Sequence, residues 1–227
     1  VANISAFLSA NGTAPTYTPV TNYSGNVTLN MTSSDGVGTT FSNSTIVVSA
    51  VNDAPVNTLP TSWTTNEDTA LTLSGLNIAD VDAGASSINV TLAVDSGNIT
   101  ATGSGGVTVT GNNTDNLTLS GTVANISAFL SANGTAPTYT GVTNYSGNVT
   151  LTMVTRDSGN TGSGGVQTTS NTRTIVVSAV NDAPVLAGTP SLLSYTENAV
   201  AAVIDGNLTI SDVDTAVFNG GSLRVQI

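Results

Sequence analysis

The chain has 227 residues, with three basic side chains against fourteen acids, no histidine, no cysteine and a formal net charge of −11. That charge argues against any nucleic-acid or anionic-membrane surface, and the missing cysteine excludes disulfides, thiol chemistry and thiolate metal sites. All three basic residues are arginine (Arg156, Arg173 and Arg224), so acid–base and nucleophilic roles would fall to carboxylates or hydroxyls. No serine has a visible base, and no catalytic residue and no enzyme activity are expected.

In chain order, the first expected element is a short helix within VANISAFLSANG (1–12), followed by the linker-like block TIVVSAVNDAP (45–55). Period-two alternation then marks a series of strands. Ile88, Val90, Leu92 and Val94 alternate with polar or small residues, as do Val107 and Val109, and Leu117 and Leu119. The helical pattern returns at 123–134, where Val123, Ile126 and Leu130 share a face, Thr122 can cap and Gly134 can stop the turn. Val149, Leu151 and Met153 form a further strand face, and a last strand runs through Thr174–Val180. Short strands with Thr-rich outer faces, split by Gly, Asn and Ser, predict antiparallel sheets that each bury one face, and hence a β-sandwich. Trp63, Phe129, Tyr139 and Tyr145 are scattered, as core and sheet-edge packing would be. No apolar run approaches membrane-spanning length, and an apolar share of 39% argues against a disordered linker.

The organisation is repetitive. Residues 1–31 recur at 123–153 with changes only at Pro19/Gly141 and Asn30/Thr152, and TIVVSAVNDAP recurs at 174–184. The first block returns 122 residues on and the second 129, so the segment between them is seven residues longer in the second copy. A period of this length is a whole domain rather than a solenoid unit. The expected division is the C-terminal part of one module (1–55), a complete module (56–184) and the N-terminal part of a third (185–227). Duplication suits a rod, a tether or a multivalent surface better than an active site.

The acids gather at loops: Asp53 in VNDAP, Glu67 and Asp68 in NEDT, Asp80 and Asp82 in ADVDAG, Asp157 in TRDSG. Asp35, Asp182, Glu197, Asp212 and Asp214 are their counterparts. Paired carboxylates that bend toward one point, with Asn and backbone carbonyls nearby, suit calcium with its 6–8 oxygen ligands. Without an ion they repel one another. The alternative is that Asp and Asn simply make turns, and that is the reading adopted for Asp95 and Asp115.

The order of these motifs (an acidic pair, a D-x-D, a strand ending in Asp, then V-N-D-A-P) resembles bacterial cadherin-like repeats, over the whole chain. The resemblance implies an all-β chain of tandem cadherin-like or Ig-like antiparallel sandwich modules, each with a short helix. It implies calcium clamped at each junction by both neighbours: Asn52, Asp53, Asp80, Asp82 and Asp157 at the first, and Glu67, Asn181, Asp182, Asp212 and Asp214 at the second. Glu197 and Asp35 would serve further junctions. The mid-domain acidic motif of cadherins is not recognisable, and the linker carries fewer acids than the animal consensus. The implied function is a calcium-stiffened extension module of a secreted or cell-surface adhesin or biofilm matrix protein, partnered by neighbouring modules of its own chain. A stretch of a polymeric fibre or sheath, completed by other copies through strand donation, and a glycan-binding module are the alternatives. Sequons at Asn3, Asn22, Asn89, Asn125, Asn144 and Asn207 are what an Asn-, Ser- and Thr-rich chain produces by chance.

Overall fold

The computed structural model of the chain describes residues 14–131, 135–159, 161–188 and 192–226. The helix expected at 1–12 and the stop at Gly134 lie outside these residues. The strands in chain order are β1 (Gly25–Ser34), β2 (Thr39–Val48), β3 (Val56–Thr58), β4 (Ser62–Asn66), β5 (Leu71–Thr72), β6 (Asn77–Ala79), β7 (Ser87–Val94) and β8 (Asn98–Thr100). They continue with β9 (Thr108–Thr110), β10 (Asn116–Thr122), β11 (Thr138–Thr140), β12 (Gly147–Arg156), β13 (Thr168–Ser178), β14 (Val185–Ala187) and β15 (Thr209–Ser211); one helix, α1 (Val123–Ser131), follows β10.

Six strands form the largest sheet, in the order β4–β13–β12–β7–β10–β9, and three form a second, β5–β11–β8. Three two-stranded pairs, β1–β2, β3–β6 and β14–β15, are the other sheets among the described residues. Every pairing is antiparallel except β4 with β13, which is parallel. That parallel edge departs from the antiparallel expectation: β4 runs beside β13 in parallel register from Ser62↔Thr174 to Asn66↔Ser178.

The alternating apolar residues become the core, because successive side chains on a strand face opposite ways. Ile88, Val90, Leu92 and Val94 of β7 are buried, as are Leu117 and Leu119 of β10, and Val149, Leu151 and Met153 of β12. Ile99 of β8 and Tyr139 of β11 join the same cluster from the three-stranded sheet, so both sheets enclose one core. Among the described residues, all buried apolar side chains lie between Trp63 and Val177.

α1 forms where helical spacing interrupts the alternation. The Thr122 hydroxyl accepts the Asn125 amide at 3.2 Å, which caps the first turn. Ile126, Phe129 and Leu130 face the core. The helix packs against β10 and β6, and the Ser127 hydroxyl donates to the Ile78 carbonyl at 2.8 Å. It thus bridges the large sheet and the β3–β6 pair.

The sequence repeat is a structural repeat. β1–β2 is paired from Gly25↔Val48 to Ser34↔Thr39, and β12–β13 from Gly147↔Val177 to Arg156↔Thr168, which is the same register. Only the connection differs: a tight turn over 35–38 in the first hairpin, a longer excursion over 157–167 in the second. Burial differs too. Leu29 and Met31 are 43% and 46% exposed, whereas their counterparts Leu151 and Met153 are fully buried.

That contrast gives a stability prediction. Leu151→Ala should destabilise the core by about 2–5 kcal/mol, the usual cost of emptying a closed leucine site. Leu29→Ala, in the same local sequence, should stay within about 0.5 kcal/mol. Urea unfolding followed by Trp63, the only tryptophan, reads this core directly; equal shifts for both variants would contradict the burial assignment.

Candidate functional site

The two SAVNDAP linkers, at 49–55 and 178–184, have identical sequence, and each meets a D-x-D in the same way. At the first, the Asp53 amide donates to Asp82 Oδ2 at 2.7 Å. At the second, the Asp182 amide donates to Asp214 Oδ2. The leading aspartate of each D-x-D shapes its own loop. Asp80 Oδ1 accepts the amides of Asp82 at 3.1 Å and Ala83 at 2.9 Å, and Asp212 Oδ1 accepts those of Asp214 at 2.9 Å and Thr215 at 3.1 Å. Turn-making and linker-holding are therefore divided between the two carboxylates. β3–β6 and β14–β15 place them: the strand after each linker pairs with the strand that ends just before the D-x-D.

Glu67 is buried at the second linker. Its amide donates to the Ser178 carbonyl at 2.9 Å, and its Oε1 accepts the Val180 amide at 2.6 Å. Asp68 Oδ1 accepts the Asn144 amide at 3.1 Å. Asn144, Asp182 and Asp212 line one hollow there, and Asn22, Asp53 and Asp80 line its counterpart at the first linker. The structure thus brings Glu67, Asp182, Asp212 and Asp214 together. Asn181 is exposed beside them, and its side chain donates to the Asp182 carbonyl at 2.7 Å. Asp68, Asn22 and Asn144 were not singled out as ligands from sequence. Asn22 and Asn144 stand in the repeated VTNYSG segment, far in sequence from the acids, and only the fold shows that their turns face the linkers.

At the first linker, Asn52 is buried and its side-chain amide donates to Asp157 Oδ2 at 2.6 Å and to the Gly165 carbonyl at 2.9 Å. Asp157 Oδ1 accepts the amides of Gly159 at 3.0 Å and Gln167 at 2.8 Å. Both Asp157 oxygens are therefore engaged by protein, and this residue positions Asn52.

Three carboxylate oxygens at these linkers are enclosed without partners. Of five buried side-chain oxygens with no hydrogen bond among the described residues, three are Asp80 Oδ2, Asp82 Oδ1 and Asp182 Oδ2. A buried polar atom ordinarily has a partner. Burial pushes Asp80 above the ordinary aspartate value, and neighbouring Asp82 adds to the shift against the amide bonds that oppose it. Asp182 is raised by enclosure and by the charges of Asp214, Asp68, Glu67 and Asp212. Hard oxygens, mutual repulsion and unpartnered atoms fit a divalent cation such as calcium. Among the described residues, however, no three acidic side chains converge closely enough to hold an ion by themselves. Carbonyls and water would have to complete the shell. Nor is any described helix long and apolar enough to cross a membrane. No protein-family model matches the sequence, and no curated protein is significantly similar to it.

The raised Asp80 has a signed consequence. Its contribution to stability is complete below the ordinary value of 3.8 and is lost as pH rises through the folded-state value. Asp80→Asn keeps an oxygen for the two loop amides and removes the charge. In chelator, the wild type should therefore lose stability relative to this variant as pH rises from about 3.5 to 6. The difference between their Trp63 urea midpoints measures it, and a difference that is flat with pH would show that Asp80 is unperturbed.

Proposed function

We propose that this chain is a stretch of an extracellular array of cadherin-like β-sandwich modules, each an extension unit, with calcium stiffening the junctions. In this reading 56–184 is one module, its six- and three-stranded sheets are the two faces of the sandwich, and 1–55 and 185–227 belong to its neighbours. The main support is the repeated junction: the same linker amide meets the second carboxylate of a D-x-D twice, at the spacing of the sequence repeat. Such an array serves surface attachment or matrix, as a secreted or cell-surface component of adhesin type, and needs no catalytic residue.

Asp80 and Asp82, with Asp53 and Asn52, would hold the ion at the first junction; Asp157 acts there through Asn52. Asp182, Asp212 and Asp214, with Glu67 and Asn181, would hold it at the second. A bound calcium supplies the positive charge that cancels repulsion among these oxygens and gives the unpartnered ones a ligand. Extracellular modules work with dissociation constants of about 0.1–1 mM. Calcium tenfold above such a value favours the bound junction by about 1.4 kcal/mol, roughly a tenfold change in its population. That is enough to order a linker and too little to decide whether a sandwich folds.

Scattering in excess calcium and in chelator tests the leading reading. Calcium should lengthen and narrow the particle, and chelation should increase protease cutting near Asp182 while Trp63 fluorescence stays folded. Asp212→Asn with Asp214→Asn should abolish that response at the second linker. Superimposable profiles in calcium and chelator would overturn the calcium junction and return the carboxylates to ordinary turn residues.

A further inference from the structure

The seven residues by which the second copy exceeds the first fall in the β12–β13 connection, and that connection grips the linker ahead of it. Ser163 and Val51 form an isolated parallel bridge. The Asn52 amide donates to the Ser163 carbonyl at 2.7 Å, and the Ser163 amide donates to the Ala50 carbonyl at 3.0 Å. The Asn52 side chain adds its bonds to Asp157 and the Gly165 carbonyl, and the Thr161 hydroxyl donates to the Asp82 carbonyl at 2.7 Å. The linker is thus held by one parallel β-bridge and tied through Thr161 to the D-x-D loop.

The approach is closer than a side chain allows. Gly162 has φ +72°, and a Cβ there would lie 2.5 Å from the Ala50 carbonyl carbon. Only glycine fits both the backbone and the gap.

The other copy supplies the contrast. Asp35 holds the position of Asp157 at the end of an identically registered hairpin. Its Oδ1 accepts the amides of Val37 at 2.9 Å and Gly38 at 2.8 Å, closing a tight turn over 35–38. The aspartate shapes its own connection in both copies, and the longer connection also carries the groups that contact the linker at 49–55.

We propose that the β12–β13 connection is a metal-independent clasp for the linker before it, so that the length of this connection decides which junctions of the array stay closed without calcium. The clasp rests on the modular reading above but not on calcium: all of its contacts are protein hydrogen bonds. A junction followed by a short-turn copy would depend on the cation alone, and one followed by a long-connection copy would keep its order when calcium falls. An array mixing the two would have hinges that open on calcium loss at defined places.

The experiment uses the full chain in chelator and exploits the two identical linkers. A protease that cuts after small residues meets the same SAVNDAP sequence at 49–55 and at 178–184. Gly162→Val drives the connection off Ala50. A second variant replaces 157–167 with the 35–38 turn, a graft that the shared register permits. Both should raise cutting at 49–55 by about tenfold, the response expected when one or two net hydrogen bonds are lost. Cutting at 178–184 should not change, and the Trp63 unfolding midpoint should hold. The wild type provides a measurement independent of any variant: in chelator, the Asn52 and Ser163 amides should exchange at least about tenfold more slowly than unstructured amides. Unprotected Asn52 and Ser163 amides would overturn the clasp, as would folded variants with unchanged cutting at 49–55. Neither result would bear on the calcium response of the second linker, so the two proposals fail separately.

Discussion

One inward-facing row of β12 organises the fold and its junction together. Val149, Leu151, Met153, Thr155 and Asp157 alternate along the strand and its first following residue, and all five are buried. The first three are apolar and anchor the core. The last two are polar, and each is buried only because it has a partner: the Thr155 hydroxyl donates to Asn57 Oδ1, and Asp157 accepts from Asn52. A polar group without such a bond would cost about 1–3 kcal/mol in the same place. The row therefore runs from a hydrophobic core into a hydrogen-bonded seat for the incoming linker, with no break in the sheet.

β13 completes the arrangement. It pairs with β12 over ten positions and leads at its C-terminal end into the second linker, which Glu67 holds. The hairpin's far end carries the connection that grips the first linker. At about 3.4 Å per residue the paired segment spans on the order of 34 Å. Incoming and outgoing linkers are thus joined by one continuous ladder of backbone hydrogen bonds.

The carboxylates act within this frame. Their sign is unopposed by lysine, and the described arginine contacts do not relieve them: Arg173 donates to the Pro60 and Thr172 carbonyls. Asp80, Asp82 and Asp182 keep enclosed oxygens without partners, while Asp157 has none to spare. The junction thus combines a part satisfied by protein with a part that is electrostatically incomplete. Hydrogen bonds give it its geometry, and the incomplete part leaves Asp80 and Asp182 with raised affinity for protons.

Much of this was legible in the sequence. Alternation in β7, β10 and β12 and the helical spacing of 123–131 reflect how side chains project from each backbone, so local pattern was enough. The recurrence of VNDAP and D-x-D marked two places where a linker amide meets the second carboxylate of a D-x-D, the one contact the two share. The shorter strands β3, β6, β8 and β11 were not readable: three residues are too few for a period, and Trp63 gave no hint that β4 would pair in parallel with β13. Least readable was the clasp. Glycine, serine and threonine at 161–165 name no partner, since their contacts run through backbone amides and carbonyls that every residue carries. The sequence alone determined which faces are apolar and where charge collects. Only the tertiary structure decided which backbone the long connection would meet, because that depends on where the hairpin's end comes to lie beside the linker.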